Sequence, residues 1–374
     1  MAYLGEEIKK LGFGLMRLPM NGEEIDLEQT KKMVDLFMEK GFSYFDTAYV
    51  YGEGQSEYAA RDALVKRYPR ESFQLATKLP AWDKTKTAEE VKQYFYTSLE
   101  RTEAGYFDYY LLHNLGGERT EIFENLGLWD FVKELKAKGL IRHFGFSFHD
   151  NSSALDKLLT AHPEAEFVQL QINYADWEHP EIESRKCYEV ARRHNKPVII
   201  MEPVKGGTLA SLPDSAVDVL KSLDKNASVA SWAIRFAASL DGVITVLSGM
   251  SNIEQMEDNL SFMENFKRLS NNELESIEKV RNILDSIPQV ACTNCKYCVK
   301  DCPQNIPINK ILGVLNGYDK YNNLEGAKAR YSRAANGCGK ASDCIDCKNC
   351  ESVCPQHIKI TEHLKRAASL FEKT

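Results

Sequence analysis

The chain has 374 residues, 43% of them hydrophobic and 27% charged, with a net charge of −7. That length suits one large domain plus a small one with room for a full core. No apolar run approaches a membrane span. The acidic balance gives no case for nucleic acid, and nothing at the N-terminus reads as a secretory signal, so the cytoplasm is the expected compartment.

Residues 1–285 alternate between short β-rich runs and helical patterns. Strands are expected at 13–18, 44–48, 73–78, 109–113, 143–148, 167–173, 198–202 and 243–248. Several are apolar nearly throughout, as strands covered on both faces must be. Helical spacing appears at 56–68, 88–102, 128–138, 152–161, 181–195, 227–238 and 252–266. Eight βα units in this length predict a (β/α)₈ TIM barrel. The alternative, an open doubly wound sheet, expects a Gly-rich fingerprint before an early helix. Gly12 and Gly14 lack the third glycine, and a strand follows them.

A barrel places its chemistry at the C-terminal ends of its strands. The polar residues there are Asp46, Lys78, His113, Ser147, Gln171 or Asn173, Glu202 and Ser248, with Tyr51 just past Asp46. A phenol titrates near ~10 and a nearby ammonium lowers that value. Asp46 would pair with and hold Lys78, and a neutral His113 would hydrogen-bond the phenol or a substrate oxygen. Such a set suits protonation of a carbonyl oxygen as hydride arrives at carbon. Each residue also has a bland reading, as a surface ion pair or a core histidine. Trp82, Tyr174 and Trp177 follow the third and sixth strands and suit either an apolar pocket or surface packing.

The last quarter carries one cysteine spelling twice. Cys292, Cys295, Cys298 and Cys302, and again Cys344, Cys347, Cys350 and Cys354, read C-x-x-C-x-x-C-x-x-x-C-P. This is the two-cluster iron–sulfur spacing, in which the cysteine before Pro ligates the other cluster. The expected groups are therefore Cys292, Cys295, Cys298 with Cys354, and Cys344, Cys347, Cys350 with Cys302, holding two [4Fe-4S] clusters. Zinc sites want pairs of C-x-x-C without the extra cysteines. Cys187 reads as a core thiol and Cys338 as a spare loop thiol. The intervening residues have helical spacing at 308, 311, 312 and 315, so a mainly helical ferredoxin-like domain is expected over 286–374, after a barrel domain at 1–285. Residues 286–374 hold 13 Lys and Arg against 8 Asp and Glu. Lys328, Arg330 and Arg333 are candidates for docking an acidic ferredoxin- or flavodoxin-type electron carrier; ordinary surface variation is the other reading.

In several segments the chain resembles the aldo-keto reductase family, in its iron–sulfur-fused branch. They are G-F-G-L-M-R-L-P at 12–19, F-D-T-A-Y-V-Y-G at 45–52, A-T-K at 76–78, Y-Y-L-L-H at 109–113, I-R-H-F-G-F-S at 141–147 and M-E-P-V-K-G-G at 201–207. The resemblance implies a nicotinamide coenzyme and a small-molecule carbonyl substrate. It implies Tyr51 as proton donor, Lys78 and Asp46 as its tuners and His113 as the substrate-orienting residue. Ser147 and Gln171 match positions that hold the carboxamide. Gly206, Gly207 and Leu209 match the pyrophosphate loop, and Asp258 and Asn259 the pair that contacts adenine, beyond Ser248. Phe148 and Glu202 depart from the pattern. The stretch 248–259 has no basic residue against a 2′-phosphate, which favours NAD over NADP.

The fusion poses a problem of electron counting. Hydride is a two-electron unit, whereas each cluster carries one electron at a time, and a flavin manages both. One reading is a carbonyl reductase whose clusters are accessory. A second has the clusters feeding a flavin, or a substrate that takes single electrons, at the barrel mouth. A third is a redox-sensing electron-transfer subunit with an inactive barrel, against which the complete tetrad argues.

Overall fold

The computed structural model describes residues 2–300 and 302–372. These form two compact units: residues 2–204 with Ala233–Ser270, and Lys205–Trp232 with residues 271–372.

Among the described residues of the first unit, eight parallel strands close into a barrel. They are β1 (Leu11–Gly14), β2 (Tyr44–Asp46), β3 (Gln74–Leu79), β4 (Phe107–Leu115), β5 (Ile141–Phe148), β6 (Phe167–Gln171), β7 (Val198–Met201) and β8 (Val243–Ser248). Each pairs with its chain neighbours, and β1 joins β8 in the register Leu11↔Val246 and β2 in the register Phe13↔Phe45. That closure excludes the open doubly wound alternative. Helices α1 (Leu27–Glu39), α2 (Gln55–Ala60), α3 (Ala88–Thr102), α4 (Leu128–Ala137), α5 (Ser152–Ala161), α6 (Ser184–Arg193), α7 (Val229–Ala238) and α8 (Ile253–Met263) follow the strands in turn. The first strand is shorter than expected, because Leu15–Arg17 turn as a 3₁₀ helix. The helix expected to 68 becomes a π turn at Arg61–Val65.

The barrel interior is filled by Tyr44, Ala76, Tyr109, Leu111, Phe167, Ile199 and Ile244. Tyr109 meets Tyr44 and Phe167 with ring centroids 5.1 and 5.2 Å apart. This lower end is a packed core, which leaves the other end of the strands for polar groups.

The second unit is helical. Its elements are Asp214–Lys221, α9 (Asn271–Ser286), α10 (Ile308–Tyr321), α11 (Leu324–Ala335) and α12 (Ile360–Phe371). The helical character expected of the C-terminal region is thus present. Ile306, Ile308, Ile311, Leu312, Leu315, Tyr331, Leu364 and Phe371 make its core. The cysteine repeat is also a backbone repeat. Asn294 and Lys296 in the first copy, and Asp346 and Lys348 in the second, take positive φ on either side of the middle cysteine. Asn305 and His357 then do the same three residues past the last cysteine. Both copies enter a helix at matching isoleucines, Ile308 and Ile360.

Candidate active site and cysteine centre

Alternation along a strand puts residues i and i+2 on one face. Tyr44 and Asp46, Ala76 and Lys78, and Leu111 and His113 therefore share the inward rows of β2, β3 and β4. The first member of each pair belongs to the packed interior. The second emerges nearer the C-terminal end. Lys78 Nζ donates to Asp46 Oδ1 at 2.6 Å and to the Thr47 carbonyl at 2.7 Å. The two side chains are only 1% and 3% exposed. Tyr51 sits in the turn Tyr51–Gly54, its amide bonded to Ala48 O at 3.0 Å. The Lys78 ammonium lies 4.7 Å from the centroid of the Tyr51 ring. The His113 ring is 6.0 Å from that ring and 5.3 Å from Trp82, which meets it edge-on. The four residues expected to act together are thus one group. Two of their buried atoms, Asp46 Oδ2 and His113 Nδ1, have no protein partner.

The electrostatics departs from the sequence expectation at one point. Burial pushes the Tyr51 phenol above its usual value, and the pull of Lys78 in the other direction does not reverse this. The phenol is therefore firmly protonated at neutral pH, the state a proton donor needs. Burial works against the Lys78 charge, but Asp46 and Tyr51 outweigh it and hold the ammonium protonated. Burial, reinforced by Lys78 and His149, keeps His113 well below the usual imidazole range and so neutral.

Around this group, Ser147 Oγ accepts the Asn114 amide at 2.7 Å. Gln171 Nε2 and Asn173 Nδ2 both donate to Asp176 Oδ2, at 3.3 and 2.9 Å. Asp176 is not among the expected residues. Its signal is the N-Y-A-D spelling, in which Asn173 Oδ1 accepts from the Asp176 amide three residues on at 2.9 Å, as a capping Asn does. Asn259 Nδ2 donates to Ser248 Oγ at 2.7 Å, both buried, with Asp258 adjacent on α8. Glu202 is exposed just past β7, with φ of 55°. Tyr174 and Trp177 pack edge-on against Phe236 of α7, a structural role. Behind the tetrad lies a network that the sequence does not announce: fully buried Glu57 accepts from Thr77 at 2.8 Å and Arg101 at 3.2 Å. Gly206, Gly207 and Leu209 belong to the second unit, the glycines with φ of 65° and 90° and Leu209 fully buried.

The cysteines fall into two sets. Cys298 is within electrostatic reach of Cys292, Cys295 and Cys354, and Cys350 within reach of Cys344 and Cys302. Cys302, Cys344, Cys347 and Cys350 line one cavity with Ile306, Ile308 and Leu364. Burial pushes Cys298 and Cys350 each up to about 11, with the neighbouring sulfurs adding to it at Cys298 and Glu351, then the sulfurs, at Cys350. Among the described residues no three such side chains converge on a single-ion point. A cubane asks for something else, one sulfur on each of four separated irons. Cys187 is buried, its Sγ 3.6 Å from Asp150 O, and burial lifts it to about 12, as expected of a core thiol. Cys338 is exposed.

Residues 10–282 match the aldo/keto reductase family, and residues 291–359 match a 4Fe-4S dicluster domain. The uncharacterized oxidoreductase YqkF of Bacillus subtilis is 25% identical over 304 residues, spanning 73% of this chain and 92% of that protein. A component of an ion-translocating oxidoreductase complex from Buchnera aphidicola is 30% identical over 88 residues, 24% of this chain and 16% of that protein. An aldo-keto reductase from Bacillus halodurans, solved in its holo form, superposes with a TM-score of 0.59 at 24% identity, covering 72% of this chain and 91% of that one. An aldo-keto reductase from Klebsiella pneumoniae in complex with NADPH gives 0.58 at 20%, covering 74% and 93%. Among the described residues no helix is long and apolar enough to cross a membrane. The chain belongs to the aldo/keto reductase family, as an oxidoreductase barrel joined to a C-terminal 4Fe-4S dicluster domain.

Proposed function

We propose that the barrel reduces the carbonyl of a small molecule with a nicotinamide coenzyme, Tyr51 acting as general acid. The observation that carries this is the buried Lys78–Asp46 pair set against the Tyr51 ring, with neutral His113 beside it. The coenzyme supplies hydride. Tyr51 Oη gives its proton to the carbonyl oxygen as negative charge builds there, and the Lys78 ammonium stabilises the phenolate that remains. Asp46 keeps that ammonium charged and in place. His113, with Nδ1 unpartnered in the protein, orients the substrate oxygen. Ser147 and Gln171 are the side chains suited to a carboxamide. The absence of a basic residue over 248–259 supports NAD rather than NADP.

The eight motif cysteines hold two [4Fe-4S] clusters in this reading. Support comes from their two sets, each drawing its fourth thiol from the other copy. The same arrangement favours a second reading, in which a ferredoxin- or flavodoxin-type carrier reduces the clusters, and they feed a flavin or a one-electron acceptor in the barrel. An anaerobic inventory of iron, sulfide, flavin and nicotinamide separates the two. Tyr51→Phe is expected to lower carbonyl reduction by ~10²–10⁴-fold with the cluster absorbance unchanged. Full activity in that variant would reject Tyr51 as the acid. Bound flavin, with no NADH oxidation by any carbonyl, would reject the reductase reading.

A further inference from the structure

The two cysteine copies run in one register, which sets Cys292 against Cys344 and Ile308 against Ile360. In that register Asn294, Lys296, Lys310 and Gly313 stand against Asp346, Lys348, Glu362 and Lys365. In the second copy, Lys365 Nζ reaches from α12 to Asp346 Oδ2 at 2.8 Å and bridges the helix to the cysteine loop. The first copy has Gly313 where that lysine stands, and no atom lies within 4 Å of where its side chain would begin. In place of the bridge is a hollow of about 430 Å³, lined by Cys292, Asn294, Lys296, Asn309, Lys310 and Gly313. Uncharged groups brace it. Asn309 Nδ2 donates to Asn294 Oδ1 at 2.7 Å. Asn316 accepts from the Val290 amide at 2.7 Å and donates to the Val290 carbonyl at 2.9 Å, two residues before Cys292. Charge follows the same asymmetry. The four second-copy positions hold two lysines and two carboxylates, and the first-copy positions two lysines and no carboxylate. Among the described residues no carboxylate pairs with Lys296 or Lys310. Tyr297, next to Lys296, is 54% exposed. A one-sign hollow that reaches a cysteine of the first set attracts an acidic surface, and an exposed tyrosine beside it suits a protein partner. The basic group on α11 is less available. Arg330 donates to Thr208 Oγ1 at 3.3 Å and has its Nη2 buried.

We propose that this hollow is the docking site of an acidic one-electron carrier protein. A carboxylate of the carrier enters between Lys296 and Lys310, and the electron passes to the cluster of Cys292, Cys295, Cys298 and Cys354. One electron leaves the carrier, which is oxidised, and enters the cluster, which is reduced; no bond forms or breaks and no proton moves. The site rests on the carrier-linked reading above, so the experiment separates the two.

Anaerobically purified full-length protein is mixed in stopped flow with a reduced acidic [2Fe-2S] ferredoxin, and separately with a reduced flavodoxin, at low and high salt. Wild type is compared with two hollow variants. One is Lys310→Glu. The other combines Gly313→Lys with Asn294→Asp, which rebuilds the ion pair of the second copy and leaves the net charge unchanged. Lys328→Glu combined with Arg333→Glu is the control for the group on α11. Cluster absorbance checks assembly, and complete reduction by dithionite checks that the clusters still accept electrons. A cleft of one sign raises association rates by about 10- to 1000-fold, so the carrier should reduce each hollow variant at least about 10-fold more slowly at low salt. Most of the salt dependence should go with it. If one hollow variant assembles no clusters, the other decides. A wild-type carrier rate in the decisive variant, or a loss confined to the α11 control, would overturn the site and leave the carrier-linked reading standing. If wild type holds no clusters, or is reduced by dithionite and by neither carrier, the carrier-linked reading falls and the site falls with it.

Discussion

Replacing Lys78 by Met tests the buried pair at the centre of the site. Asp46 would remain almost fully buried, with Oδ2 unpartnered and Oδ1 now without its cation. A carboxylate so placed either stays charged, at several kcal/mol, or takes up a proton. Relative to an unfolded carboxyl titrating near ~3.9, proton uptake costs ~1.4 kcal/mol per pH unit above that value. The penalty is therefore capped at about 1.5 kcal/mol at pH 5 and about 4 kcal/mol at pH 7. The sign follows from proton counting. In the variant the folded pKa of Asp46 lies above the unfolded one, so the folded chain binds more protons and stability falls as pH rises. In wild type the Lys78 charge opposes that upward push. Urea unfolding read by tryptophan fluorescence suits the measurement, since Trp82, Trp129, Trp177 and Trp232 all precede the cysteine motifs. A loss under about 1 kcal/mol at pH 7, or equal losses at pH 5 and pH 7, would refute the ion-pair reasoning.

Cys354→Ser should disturb the cluster of Cys292, Cys295 and Cys298, and Cys302→Ser the other; electron paramagnetic resonance of the reduced variants that assigned each loss to its own motif would reject the cross-grouping. With His113 held well below the usual imidazole range, activity should show no acid limb near pH 6.5, and should fall only as pH drops through the lowered value. A limb centred near 6.5 that vanishes in His113→Gln would contradict that.

Much of the barrel was legible because parallel strands covered on both faces must be largely apolar, and Pro197 to Met201 is so throughout and Val243 to Leu247 at every position but Thr245. The tetrad was legible for a related reason: polar residues at the ends of such runs have few other places to go. Helix α1 is not among the expected elements although its signal is present, with Asp26 capping Gln29 N and Thr30, Met33, Val34 and Phe37 on the buried side. Other features were beyond reading from one chain. The net direction of the Tyr51 shift depends on how deeply the phenol is packed, a quantity that no local spelling encodes. The association of residues 205–232 with the cysteine domain depends on packing between segments far apart in sequence, and so does the turning of Arg330 toward Thr208.

The matched copies of the cysteine domain have a consequence for how it is assembled. Because Cys354 lies within reach of the first set and Cys302 of the second, a cluster loaded on either set in the proposed grouping would tie the two halves of the segment into a closed loop. The chain entropy of that closure is spent once. If the cysteines hold two clusters as proposed, the second would meet thiols that the first has drawn together, so loading is expected to be cooperative. The dependence runs backwards too, since destruction of one cluster loosens the ligand loop of its neighbour. A variant that loses one cluster is then expected to hold the other less tightly.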